Sequence, residues 1–172
     1  MKGRHRLLAR PLLVIGLAIG VASPAFAGTD QATLILNAAD KADAPRNYRS
    51  IKKLDASGSG QFSAKELDAV RERTGGRPLI VLDLRQESHG FVDGTAVSWF
   101  GARDAANSGK SSDQIGVDES ALLAGVAGRQ TVTAQKVTGK TTDRAIGETK
   151  PVDLPVHTVQ NEDEVVSAAG GE

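Results

Sequence analysis

The sequence of 172 residues contains no cysteine. That excludes disulfides, thiolate metal sites and cysteine nucleophiles, so stability must come from packing. Aromatic residues are also scarce, at 3%. After residue 27 only Tyr48, Phe62, Phe91, Trp99 and Phe100 remain, and the last 70-odd residues hold none. Neither charge sign is in excess, with 21 basic and 21 acidic residues. A nucleic-acid-binding surface would call for a basic bias, and none is present. There are three histidines, with no H-E-x-x-H pattern and no G-x-S-x-G elbow. Zinc hydrolase and serine hydrolase chemistry therefore lack their usual residues.

A long apolar run is missing too. Leu12–Ala22 is an apolar stretch of 11 residues. As a helix it would reach roughly 16 Å, against a hydrocarbon core of about 30 Å. With Lys2, Arg4, Arg6 and Arg10 before it and Ala25-Phe26-Ala27 after it, Met1–Ala27 reads as a secretory signal peptide. Cleavage after Ala27 would deliver the protein to the periplasm or the medium, without a stable membrane anchor. The leader takes four of the basic residues and no acidic ones, leaving 17 against 21, a net charge of −4.

The remaining chain shows an α/β pattern. Residues 28–44 read as a mobile lead-in with one apolar patch at Leu34-Ile35-Leu36. Tyr48–Leu54 reads as a short strand. Ser63–Arg73 reads as a helix, because Ser63 and Glu66 form a capping box and Phe62 and Leu67 take the staple positions. Gly75-Gly76 and Pro78 end it. Leu79–Leu84 is a continuous apolar run, the pattern of a parallel strand covered on both faces. Arg103–Asp118 is a polar connection, and Glu119–Val126 a short helix. Thr131–Gln135 and Pro151–His157 are strand candidates. Asn161 is an N-cap with Glu164 three residues on, opening a helix over Glu162–Ala169.

The most informative stretch follows the apolar run. Asp83-Leu84-Arg85-Gln86-Glu87-Ser88-His89-Gly90 leads on to Ser98-Trp99. This D-L-R-x-E-S-H-G…S-W block resembles the phytase-like, protein-tyrosine-phosphatase-like cysteine phosphatases that hydrolyse inositol polyphosphates. Pro45-Arg46-Asn47-Tyr48-Arg49-Ser50, Gly58–Ser63 and Ser98–Lys110 continue the resemblance, which spans about residues 45–169. It implies an incomplete phosphatase domain: an N-terminal α/β part over 45–90, a β-barrel-like region over 91–160, and a short helix and truncated end over 161–172. It implies a phosphorylated small molecule or a phosphoprotein as partner, and no cofactor.

The resemblance also marks a gap. The family's H-C-x-x-G-x-G-R-T loop and its preceding D-H loop have no counterpart here. With neither nucleophile nor general acid, no catalytic residue is assigned, and the chain is expected to be inactive alone. An unpaired sheet edge would favour self-association.

Individual residues carry two readings each. Arg49 and Arg85 present the planar fork of donors that suits phosphate, Arg49 by its match to the family. That phosphate-binding role is expected only in a complete domain; without the resemblance, an arginine near a strand end is more often a solvated charge or an ion pair. Asp83 and Glu87 are expected to tie loop N–H groups or hold Arg85. His89 belongs to the S-H-G turn and is expected to bond local backbone. No metal site is assigned. The competing reading is a secreted, non-enzymatic binding protein. Its basis is Asp55–Glu66, which fits the twelve-residue EF-hand loop with Gly60 at position six. Asp55 and Glu66 are that loop's only carboxylates, and basic residues precede it.

Overall fold

The computed structural model describes residues 32–41, 43–101, 106–139 and 145–171. The expected signal peptide lies outside them. No helix among the described residues is long and apolar enough to cross a membrane.

The architecture grows from one tight hairpin. Strands β4 (His89–Val92) and β5 (Thr95–Phe100) flank Asp93-Gly94. Both turn residues have positive φ, 49° and 75°. A two-residue loop of this kind matches the twist of antiparallel strands, and Asp-Gly is a preferred pair for it. Strand β1 (Thr33–Ala38) lies antiparallel to β5 and parallel to β6 (Thr131–Val137). Strands β7 (Thr149–Pro155) and β8 (Val159–Gln160) complete a sheet of order β7-β6-β1-β5-β4-β8. A separate two-stranded hairpin pairs β2 (Arg49–Ile51) with β3 (Ala56–Gly58).

Side chains alternate across the sheet with the period of a strand, and each face has its own core. On one face Leu34, Val92, Val97, Trp99 and Val132 pack with Leu123 and Val126 of helix α2 (Ser112–Ala127). On the other, Phe91 and Ala96 meet Leu67 of helix α1 (Ala64–Arg73) and Val165, Val166 and Ala169 at helix α3 (Glu162–Ala168) and its end. Helices α1, α2 and α3 each open with a complete capping box, at Ser63, Ser111 and Asn161.

Gly90 lets the two layers meet. A Cβ there would lie 2.5 Å from Leu123 Cδ2 and 2.9 Å from the Gln160 carbonyl oxygen. The side chain could turn aside, but the β8 backbone could not. Gly90→Ala is therefore expected to cost about 1–3 kcal/mol, the usual range for overpacking. Chemical denaturation should show a lowered midpoint at unchanged slope.

Four expectations are corrected. The lead-in over 28–44 contains β1, an internal strand with Leu34 and Ile35 buried. Leu79–Leu84 forms no strand and pairs in no ladder among the described residues. It is covered on one face only: Leu79 and Val81 pack against the Phe91 cluster, while Ile80, Leu82 and Leu84 are 81%, 81% and 89% exposed. The short helix over 119–126 is the latter part of the sixteen-residue α2, which begins inside the expected polar connection. No boundary falls at residue 90, because β4 and β5 share a sheet with β1 and β6.

Candidate functional site

Charged groups gather where the segment 79–87 leads into β4. Asp83 Oδ1 accepts from the Arg85 backbone N–H at 3.0 Å and from its Nε at 2.9 Å. Arg85 Nη2 donates to Glu162 Oε2 at the start of α3. A carboxylate at that position also faces the positive end of the helix. His89 sits beneath, 8% exposed. Its Nε2 lies 3.2 Å from Glu162 Oε2 and 3.4 Å from Asp83 Oδ2. Its Nδ1 lies 3.1 Å from the Glu87 carbonyl oxygen and 3.6 Å from Glu119 Oε2 on α2. The His89 backbone N–H donates to that same Glu119 oxygen at 2.9 Å.

These contacts set the protonation of the cluster. Burial opposes charge on His89, and Arg85 adds to that opposition. The bonds to Glu162 and the Glu87 carbonyl, with the charge of Glu119, outweigh both and hold the imidazole above its ordinary value. Burial likewise raises Asp83, but the bonds from Arg85 and the two nearby cations bring it below the usual carboxylate range.

Asp83, His89 and Glu162 offer three ligand atoms within 4.8 Å of one another, beside a cavity of about 390 Å³. Arg85 already donates to both carboxylates, so the arrangement reads as an ion-pair network. A divalent cation would have to displace the guanidinium from partners that charge-assisted bonds favour.

Arg85 also borders a second, larger cleft of about 640 Å³, next to β1. Lys41, Arg46 and Lys136 converge on it with Arg85, and Glu66 and Glu87 are the acidic residues in its wall. Glu66 is engaged in the α1 cap, where its Oε2 accepts from the Ser63 N–H at 2.9 Å. The cleft is therefore net basic, with Gln61 and Asn37 adding polar groups. One nitrogen of Arg85, Nη1, is buried with no hydrogen-bond partner among the described residues.

The structure thus brings Asp83, Arg85, Glu87 and His89 together. Arg49 stands apart, exposed on the β2–β3 hairpin and outside the cleft. Sequence reasoning missed Glu119 and Glu162 in the cluster, and Lys41, Arg46 and Lys136 in the cleft. Glu162 directly follows a recognised N-cap, but nothing in its local sequence points to a partner 77 positions away.

The EF-hand-like loop does not assemble a cation site. Asp55 is bound by Arg77 through two bonds of 2.5 and 2.6 Å. Those bonds and the Arg77 charge hold it below the usual carboxylate range. The second carboxylate, Glu66, is turned into the α1 cap. Away from the site, Asp93 accepts from the His157 ring at 2.9 Å and from the Thr158 N–H at 2.7 Å, which lowers it to about 2. This bond network pins the β4–β5 turn to the start of β8.

Comparison with known proteins places the fold. No protein-family model matches the chain. The PTP-like myo-inositol phosphatase from Mitsuokella multacida, solved with myo-inositol-(1,3,4,5)-tetrakisphosphate, superimposes with a TM-score of 0.71 at 28% identity. That match covers 84% of this chain and 28% of the other. The tandemly repeated protein tyrosine phosphatase like phytase from the same organism gives 0.67 at 28% identity, over 84% and 29% of the two chains. A PTP-like phytase from Bdellovibrio bacteriovorus gives 0.59 at 28% identity, over 82% and 48%. The effector protein hopD2 of Pseudomonas syringae pv. tomato is 35% identical over 111 residues, 63% of this chain and 23% of its own length. The family resemblance carried by the D-L-R-x-E-S-H-G block is thus met again in three dimensions. The chain spans less than half the length of each of these relatives.

Proposed function

We propose that this chain is the secreted N-terminal portion of a PTP-like inositol polyphosphate or phosphotyrosine phosphatase, unable to catalyse hydrolysis alone. The observation that carries the reading is a fold shared with inositol phosphatases at 28% identity in a chain without cysteine. Phosphoryl transfer of this kind needs a thiolate nucleophile and a cradle of donors for the transferred oxygens. The protein has no thiol, and both ring nitrogens of His89 are already engaged. What remains is recognition.

The basic cleft is where a phosphorylated small molecule would bind. Guanidinium and ammonium groups suit phosphate oxygens, and four of them line one concavity. The exposed stripe Ile80, Leu82 and Leu84 would receive the rest of such a phosphatase, or a second copy of the chain by edge pairing. The leader would direct the product to the periplasm or the medium. The calcium-binding alternative loses support, since both of its carboxylates are engaged within the protein.

Calorimetry with inositol hexakisphosphate tests the cleft. Binding tighter than about 1 mM is expected, weakening with salt and at least tenfold weaker in the double variant Arg46→Glu, Lys136→Glu. Unphosphorylated inositol should give no heat. Binding that is indifferent to the double variant but lost in Arg49→Glu would move the site to the β2–β3 hairpin.

A further inference from the structure

We infer that His89 is a proton-operated clasp, whose charged ring holds helix α3 and the segment 83–87 against β4 and whose neutral ring releases the Glu162 end of α3. The inference rests on the geometry of the cluster and is independent of the proposed function.

Acceptors face both sides of the ring. The Glu87 carbonyl lies at Nδ1, and the Glu162 and Asp83 carboxylates lie at Nε2. A neutral imidazole carries one N–H, so it can serve only one side. If the proton stays on Nδ1 for the carbonyl, the Nε2 lone pair points at two carboxylate oxygens 3.2 and 3.4 Å away. If it stays on Nε2, the Nδ1 lone pair faces the Glu87 carbonyl and, at 3.6 Å, Glu119. The doubly protonated ring satisfies both.

The charge balance points the same way. The 83–87 segment contributes Asp83 and Arg85, α2 contributes Glu119, and α3 contributes Glu162, with Asp163 on the rim of the same cavity. Strand β4 adds no other charged group. Asp83, Glu119 and Glu162 thus surround the ring with Arg85 as their permanent cation. Protonated His89 is the second cation, and its loss leaves three carboxylates around one guanidinium in a half-buried site.

Of the elements held, α3 is a short helix. It has seven residues, too few for helical stability without tertiary packing. It is held by the buried side chains of Val165, Val166 and Ala169 and by Glu162. Beyond it, Gly171 passes so close to Leu79 that a Cβ would lie 2.8 Å from the Leu79 carbonyl oxygen. Loosening α3 would therefore also unseat the start of the exposed apolar segment.

The sign follows from the neighbours, which outweigh burial and raise His89 above its ordinary value of about 6.5. A raised folded-state value gives a contribution that is complete below about pH 6.5 and is lost as pH rises through the folded-state value. Release therefore comes on the alkaline side.

NMR titration of the full chain provides the test. The His89 ring signals should titrate with a midpoint above about 6.5, and the Val165 and Val166 amides should shift with the same midpoint. In Glu162→Gln the ring midpoint should fall toward the ordinary value. In His89→Gln the α3 amides should lose their titration. A His89 midpoint at or below about 6.5, or α3 amides that do not follow the ring in the wild type, would overturn the clasp. These wild-type readings decide the matter even where His89→Gln fails to fold.

Discussion

Replacing Phe91 with alanine is expected to unfold the protein or bring it to the edge of unfolding. Phe91 has no exposed surface and is the largest fully buried side chain. Its ring stacks on Phe62 with centroids 6.0 Å apart and an interplanar angle of 24°. It also packs in one cluster with Leu67 of α1 and with Val165 and Val166 of α3. One residue therefore joins two helices to the sheet. Phenylalanine-to-alanine changes in cores cost about 3–5 kcal/mol, while whole domains have about 5–15 kcal/mol to lose. Circular dichroism should show Phe91→Ala melting far below the wild type, with Phe91→Leu in between. A Phe91→Ala melting curve indistinguishable from the wild type would mean that this cluster does not carry the fold.

The second large effect is expected at Arg85. Its guanidinium ties Asp83 in the 79–87 segment to Glu162 on α3, and the side chains of Arg85 and Glu162 are 19% and 13% exposed. Truncation to alanine leaves two carboxylates facing each other beside His89. Breaking a buried pair costs about 3–5 kcal/mol, and the partial exposure here reduces that to about 2–3 kcal/mol. Arg85→Lys should recover only part of it, because an ammonium cannot reach both carboxylates as a fork does. Arg77→Ala supplies the contrast. Its pair with Asp55 is exposed and screened, so no measurable change in stability is expected there. Urea titration of the three variants separates these outcomes.

What could be read from the sequence followed the reach of each signal. The boundaries of α1 and α3 were legible because capping boxes are local, and Ser63–Glu66 and Asn161–Glu164 each declare themselves within four residues. Strand β1 was not, since three apolar residues among small polar ones resemble a lead-in until long-range pairing with β5 and β6 is known. The Leu79–Leu84 run misled for a physical reason. A continuous apolar run suits burial on both faces, whereas here the Ile80, Leu82 and Leu84 face is uncovered among the described residues. That mismatch is itself informative, because a sequence suited to two-sided burial displays one side. The charged cluster was half legible. Asp83, Arg85, Glu87 and His89 were grouped by proximity in the chain, but Glu119 and Glu162 reach them from later helices. The cleft cations Lys41, Arg46 and Lys136 come from three separate segments, and no spacing rule links them.

Phosphate release by the purified chain tests the central claim most directly, namely that this is a phosphatase-like fold without its nucleophile. Inositol hexakisphosphate and p-nitrophenyl phosphate would be incubated with the protein, and free phosphate compared with a buffer blank, with and without chelator. The account predicts no release above the blank in either condition. Turnover in either condition that follows the protein through purification would contradict it.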